Sequence, residues 1–218
     1  MKSIKERNII ANTDLEVKWN ALSADKRQMV CKHVSSTTIG RLERQRDIFI
    51  FQCMVGCRIG DLLKFTKSNI TDNVLSYVPH KTKDNSMSVQ VTVPLNEIAM
   101  KIVEKYKDYP CKNNVLLPFI SAQKYNDDIK TIFTLCNITR KVPVLNTLTD
   151  EYEMKPLNEV ASSHMARRTF IGNLYKKVKD PALIGKLSGH VEGSKAFARY
   201  RDIDMDMKQD LVNLLESK

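Results

Sequence analysis

The sequence predicts an α+β fold, mostly helical with one small antiparallel sheet. Three observations carry that prediction. Apolar residues recur at helical spacing through much of the chain, as in Ile98, Ile102, Tyr106 and Tyr109, or Tyr125, Ile129, Ile132, Phe133 and Cys136. The period drops to two where Val89, Val91 and Val93 alternate strictly. Finally, 42% of the 218 residues are hydrophobic while Gly and Pro supply only seven each, so the chain can bury a core and is neither collagen-like nor disordered.

Residues 1–21 are polar and irregular around an isolated Trp19 and read as a linker or the remnant of a preceding domain. The domain proper then runs over 22–218. Ser23 is an N-cap for a helix over about 24–34, because its hydroxyl can accept a free amide of the first turn. A long helix is expected over about 41–57, polar at first and apolar from Ile48 to Val55, where it enters the core. Gly56 and Gly60 mark a break around Cys57-Arg58-Ile59, and a short helix follows over 61–65. Residues 74–79 and 87–94 read as strands, with the polar run Lys81 to Ser86 as the hairpin tip between them. Two helices follow from the periodicities above, the second capped by Ser121. A second small hairpin pairs 141–148 with 151–155 around Thr149-Asp150. The last sixty residues read as helical, punctuated at Pro181 and at Ser188-Gly189, and end in an amphipathic helix over 204–216 with Met207, Leu211, Leu214 and Leu215 on one face.

No apolar run approaches the roughly 18 to 20 residues of a membrane span, and the charged start has no apolar core of a signal peptide behind it. A cytoplasmic protein is expected. The five cysteines form no Cys-x-x-Cys pair and have no His at ligand spacing, so reduced, buried thiols are expected in place of a disulfide framework or a zinc site. The formal charge of +10 favours a polyanionic partner. Its distribution is uneven: Arg167 to Arg201 holds nine basic residues against two acids, a net +7, and the tail beyond is acidic. A solvated helix face and a nucleic-acid surface both fit such a run.

Several residues have chemistry worth placing. His164 and Arg167, three apart, would face one spot on a helix and suit a phosphate. Arg58 sits between two glycines at a helix junction, with Asp61 three residues on. Gly189-His190 ends a helix, and Tyr200 lies between Arg199 and Arg201. Taken singly, each has an ordinary structural explanation.

As an ordered set, Arg58 in Gly-Cys-Arg-Ile-Gly-Asp-Leu-Leu, Lys81 opening the hairpin tip, His164-x-x-Arg167, Gly189-His190 and Tyr200 resemble the catalytic domain of the tyrosine recombinase, or phage-integrase, family. The resemblance covers about 22–218. His164 to Phe170 and Arg46 to Phe49 look most like integrases of mobile elements in Bacteroides-type bacteria. The resemblance implies that Tyr200 is the nucleophile and makes a 3′-phosphotyrosyl link, with Arg58 and Arg167 clamping the non-bridging oxygens. Lys81 would protonate the leaving 5′-oxygen, with Lys83 as the competing choice; His164 would assist proton transfer and His190 would bond the phosphate or the nucleophile. Asp61 would orient Arg58. Arg168, Lys176, Lys177, Lys186, Lys195 and Arg199 would contact DNA. Neither a cofactor nor a metal is implied.

The implied partners are double-stranded DNA at specific sites, three further copies of the chain on paired sites with a monomer when free, and DNA-bending accessory proteins. The implied location when acting is the bacterial nucleoid. The helix over 204–216 would dock on a neighbouring subunit in the four-copy assembly, the alternative being that it folds back on its own domain. These recombinases usually carry a separate N-terminal helical domain that 22 residues cannot supply, so a catalytic fragment or a short family member is expected. Two features depart from the family's pattern: Ser188 stands before Gly189 where Leu is commoner, and the interval to Tyr200 is about one residue long. A helix-turn-helix module without catalysis and a type IB topoisomerase are the alternatives. A metal-dependent nuclease is disfavoured by the lack of a carboxylate cluster.

Overall fold

The structure, a computed structural model, describes residues 4–80, 90–178 and 180–190, and Val212. Lys81, Lys83, Lys195, Arg199, Tyr200 and the tail helix expected over 204–216 lie outside the described residues apart from Val212.

The first finding is a correction. The segment read as irregular, a linker or the remnant of a preceding domain, forms two helices, α1 (Ile4–Asn12) and α2 (Leu15–Asn20), the second capped by Asp14, whose carboxylate accepts the Val17 amide at 3.0 Å. Ile10, Leu15 and Trp19 are buried in the main core. Arg46 Nη1 donates to the Thr13 carbonyl at 3.1 Å, and Arg140 pairs with Glu6 at 2.6 Å, so both helices are tied to the rest of the domain.

Ser23 caps α3 (Ala24–Val30), as its position predicts. The central element is α4 (Thr38–Val55), which packs against α1, α2 and three later helices. It buries Leu42, Ile48, Phe49, Phe51 and Val55, and Phe49 meets Phe133 edge to face at 5.6 Å. The helix stops two residues before the expected end because Gly56 turns left-handed, at φ 67°. No other residue fits there, since a Cβ would lie 2.2 Å from the Phe170 ring. The short α5 (Ile59–Leu62) then starts directly after Arg58.

The expected sheet has a third strand. β1 (Ile70–Thr71), β2 (Val74–Tyr77) and β3 (Val91–Pro94) pair antiparallel in that order, with Leu75 opposite Val93 and Tyr77 opposite Val91. Those four side chains face the core, as alternation requires. Asp72 and Asn73, both at positive φ, make the two-residue turn between β1 and β2. Next come α6 (Glu97–Lys105) and α7 (Ala122–Leu135), capped by Asn96 and Ser121. The second hairpin pairs β4 (Lys141–Leu145) with β5 (Tyr152–Pro156) and runs into α8 (Leu157–Val160). Last are α9 (His164–Val178), lying along α4, and α10 (Pro181–Ser188), which packs on α9 and β3. No described helix is long and apolar enough to cross a membrane.

Candidate active site

The site forms where the two ends of α4 and α10 meet the start of α9. Arg167, on the first turn of α9, is only 1% exposed. Its Nη1 donates to the Gly56 carbonyl at 2.7 Å, so a guanidinium sits at the C-terminal, partly negative end of an 18-residue helix. Gln52 secures the same turn by donating to the Cys57 carbonyl at 3.1 Å, while its own carbonyl accepts from Tyr125. Arg58 follows two residues after Gly56 and is half-buried. Its Nη1 is enclosed and has no hydrogen-bond partner among the described residues.

His190 arrives from the other side. Gly189 ends α10 at φ 66°, wedged so close to Val91 and Pro79 that a Cβ would lie 2.9 and 3.0 Å from them. The turn is closed by the His190 amide on Gly185 at 3.1 Å. The ring then lies 3.0 Å from Arg167 Nη2 and 2.8 Å from Ser188 Oγ. Burial, reinforced by Arg167, Arg58 and His164, pushes its pKa down to about 3, so the ring is neutral at ordinary pH. The charges of Arg58, His164 and Arg167, from three separate stretches of sequence together with His190, all act on this ring. His164 is exposed on the first turn of α9. The two guanidinium groups make the surroundings of this neutral imidazole positive and rich in donors.

Asp61 has a different partner from the one its spacing suggests. Its Oδ1 accepts the His80 backbone amide at 2.8 Å, and no hydrogen bond or ion pair joins it to Arg58 among the described residues. It therefore holds the chain one residue before Lys81 instead of orienting Arg58. Arg168, Lys176, Lys177 and Lys186 are all exposed, in keeping with a basic surface on α9 and α10. Adjacent on one helix, Arg167 and Arg168 diverge by about 100°, which is why one is enclosed and the other is not. Tyr175, the only tyrosine on α9, packs into the small cluster of Phe170, Ile171 and Ile184. Ser188, Gln52 and the Gly56 carbonyl are site groups that motif reading passes over. Ser188 alone had a signal, as the residue that departs from the usual form.

Among the described residues no three His, Cys, Asp or Glu side chains gather as a metal would need. Two arginines and two histidines supply donors of the kind that suit an oxyanion. The chain belongs to the phage integrase family, whose model matches residues 38–207.

Solved structures agree in fold. The XerH site-specific recombinase bound to palindromic difH, in a post-cleavage complex, has a TM-score of 0.59 at 14% identity over 99% of this chain and 53% of its own. A λ integrase tetramer bound to a Holliday junction gives 0.53 at 15%, over 83% of this chain and 47% of its own. The Tn1549 transposon integrase (residues 82–397) with circular-intermediate DNA gives 0.53 at 13%, over 88% and 64%. The chain thus spans about half the length of the XerH and λ integrase chains. A comparison with curated proteins gives no match.

Proposed function

We propose that the chain is the catalytic part of a site-specific DNA recombinase that cuts and rejoins strands through a 3′-phosphotyrosyl intermediate. The observation that carries this reading is the convergence of Arg58, His164 and Arg167 on the His190 ring in a chain of the phage integrase family. The spot they enclose suits a phosphodiester, with the Arg58 Nη1 and Arg167 Nη2 donors meeting its non-bridging oxygens as charge grows in the transition state.

In this reading the Tyr200 oxygen attacks the scissile phosphorus. A P–O bond to tyrosine forms as the P–O5′ bond breaks, so the bond energy is kept and no nucleotide is spent. The tyrosine proton leaves with help from His164, which is exposed. The departing 5′-oxygen takes a proton from Lys81, on the segment that Asp61 anchors through His80. Rejoining is the reverse, by a 5′-hydroxyl from a partner strand.

The partner is double-stranded DNA, bound in part through Arg168, Lys176, Lys177, Lys186, Lys195 and Arg199. Exchange takes four copies on two sites, a monomer being the free form, with accessory proteins bending the DNA and the 204–216 helix docking between copies. The finer reading, an integrase of a mobile element in Bacteroides-type bacteria acting at the nucleoid, rests on His164 to Phe170 and Arg46 to Phe49. The helix-turn-helix alternative is not favoured, because the Ser188-Gly189-His190 turn delivers its imidazole inward to Arg167. The test uses duplexes carrying the repeats that flank the gene, nicked so that cleavage is trapped. A covalent protein–DNA band on a denaturing gel is expected, and its absence with a folded protein that binds the duplex overturns the reading.

A further inference from the structure

Ser188 is fully buried at the last position of α10. Its hydroxyl has one hydrogen, and that hydrogen has a taker: the Ile184 carbonyl lies 2.7 Å away, one helical turn back. The Gly185 carbonyl, at 3.4 Å, is a weaker second acceptor. With its donor engaged, the hydroxyl oxygen offers only lone pairs to the His190 Nδ1, 2.8 Å away. Nδ1 must then bear the ring's hydrogen and donate it to Ser188.

The rest of the ring follows from that. Arg167 Nη2 lies 3.0 Å from both ring nitrogens, so its position does not choose between them; with hydrogen on Nδ1 the free lone pair is on Nε2. The backbone adds no freedom, because Gly189 is wedged between Val91 and Pro79 and the His190 amide is bonded to Gly185. Among the described contacts, the one that distinguishes the two tautomers is that with Ser188.

We infer that Ser188 is a positioning residue for His190, holding hydrogen on Nδ1 so that Nε2 is the ring atom presented to Arg167 and to the bound phosphodiester. The inference rests on the recombinase reading for its catalytic consequence, though not for its geometry. In the free protein the unprotonated Nε2 is the ring atom able to accept from Arg167, whose Nη1 donates to the Gly56 carbonyl. When a phosphodiester takes the Arg167 donor, its negative charge favours a proton on Nε2. The imidazolium then donates to a phosphate oxygen at Nε2 while Nδ1–H stays on Ser188, and the ring need not turn. Without the hydroxyl, either tautomer is open, and some of the population meets the phosphate wrongly.

The test uses the full chain with Ser188→Ala and Ser188→Thr, each checked by thermal unfolding. ¹⁵N spectra of the DNA-free protein should place hydrogen on Nδ1 of His190 in the wild type and in Ser188→Thr, and shift toward Nε2–H in Ser188→Ala. At saturating nicked DNA, covalent-adduct formation should slow about tenfold in Ser188→Ala with DNA affinity unchanged and stay within about threefold in Ser188→Thr, a fraction of what a positioned acid or base contributes. Hydrogen on Nε2 in the wild type, or a Ser188→Ala protein with the same tautomer as the wild type, overturns the inference. Should Ser188→Thr fail to fold, the spectrum of Ser188→Ala decides alone. A wild type that forms no adduct sinks the recombinase reading, while the ring spectra still decide the role of Ser188.

Discussion

The guanidinium of Arg167 and the carbonyl of Gly56 meet at 2.7 Å, so the residue that ends the central helix also seats the buried cation of the site. Core and site share this turn, and a change in one is felt in the other.

Gly56→Ala is the direct probe of that coupling. The new Cβ would lie 2.2 Å from the Phe170 ring on a backbone at φ 67°. Strain and overpacking together should cost about 2 to 4 kcal/mol. A fall in the urea midpoint with a loss of strand cleavage is expected; stability within about 0.5 kcal/mol of the wild type, the range of an inconsequential surface change, would contradict it.

Arg167→Ala should lower the cleavage rate by roughly 10² to 10³, the usual effect of losing one transition-state donor. Arg167→Lys should recover little of it, since an ammonium cannot reach the Gly56 carbonyl and the His190 ring with a rigid fork. Single-turnover cleavage of nicked duplex measures both, and a loss below about threefold for Arg167→Ala would remove it from the site.

His190 makes stability depend on pH in a defined direction. Its folded pKa, near 3, lies below the ordinary histidine value of about 6.5, so the unfolded chain binds the proton more readily. Stability is unaffected above about pH 6.5, then falls with pH until the folded ring titrates near 3. Between pH 7 and 5 the loss should be about 1 kcal/mol, allowing for solvent screening of a half-buried ring. Urea unfolding of the wild type beside His190→Gln should show this excess loss only in the wild type. Parallel slopes for the two proteins would refute it.

The exposed cations of α9 and α10 should set DNA affinity without selecting sequence. Replacing Lys177 or Lys186 with Gln should weaken binding to any duplex alike and reduce the slope of log K against log salt by about one each. Titrations at several salt concentrations check this, and an unchanged slope would take those lysines off the interface.

Much of this was legible in the sequence, for reasons that stop at particular residues. Ser23 and Ser121 mark helix starts because a cap is a local interaction, and Val91 and Val93 mark a strand because burial on one face imposes alternation. The site motifs were legible as types in order. Helices α1 and α2 were not, since they bury only Ile10, Leu15 and Trp19, too few for a period to emerge. β1 is only two residues long. Asp61 shows the limit most clearly: its spacing pointed to Arg58, whereas its bond is to an amide nineteen residues on, a contact set by the packing of the β2 end against α5.

The central claim, a tyrosine that becomes joined to DNA, is tested most directly by mapping the adduct. Wild type and Tyr200→Phe are incubated with the nicked duplex, separated under denaturing conditions, and the DNA-linked peptide is identified by mass. A covalent complex linked through Tyr200 in the wild type, and none in a Tyr200→Phe protein that still folds and binds the duplex, is the predicted result. A linkage through Tyr175 or any other residue, or an adduct that persists in Tyr200→Phe, would contradict it.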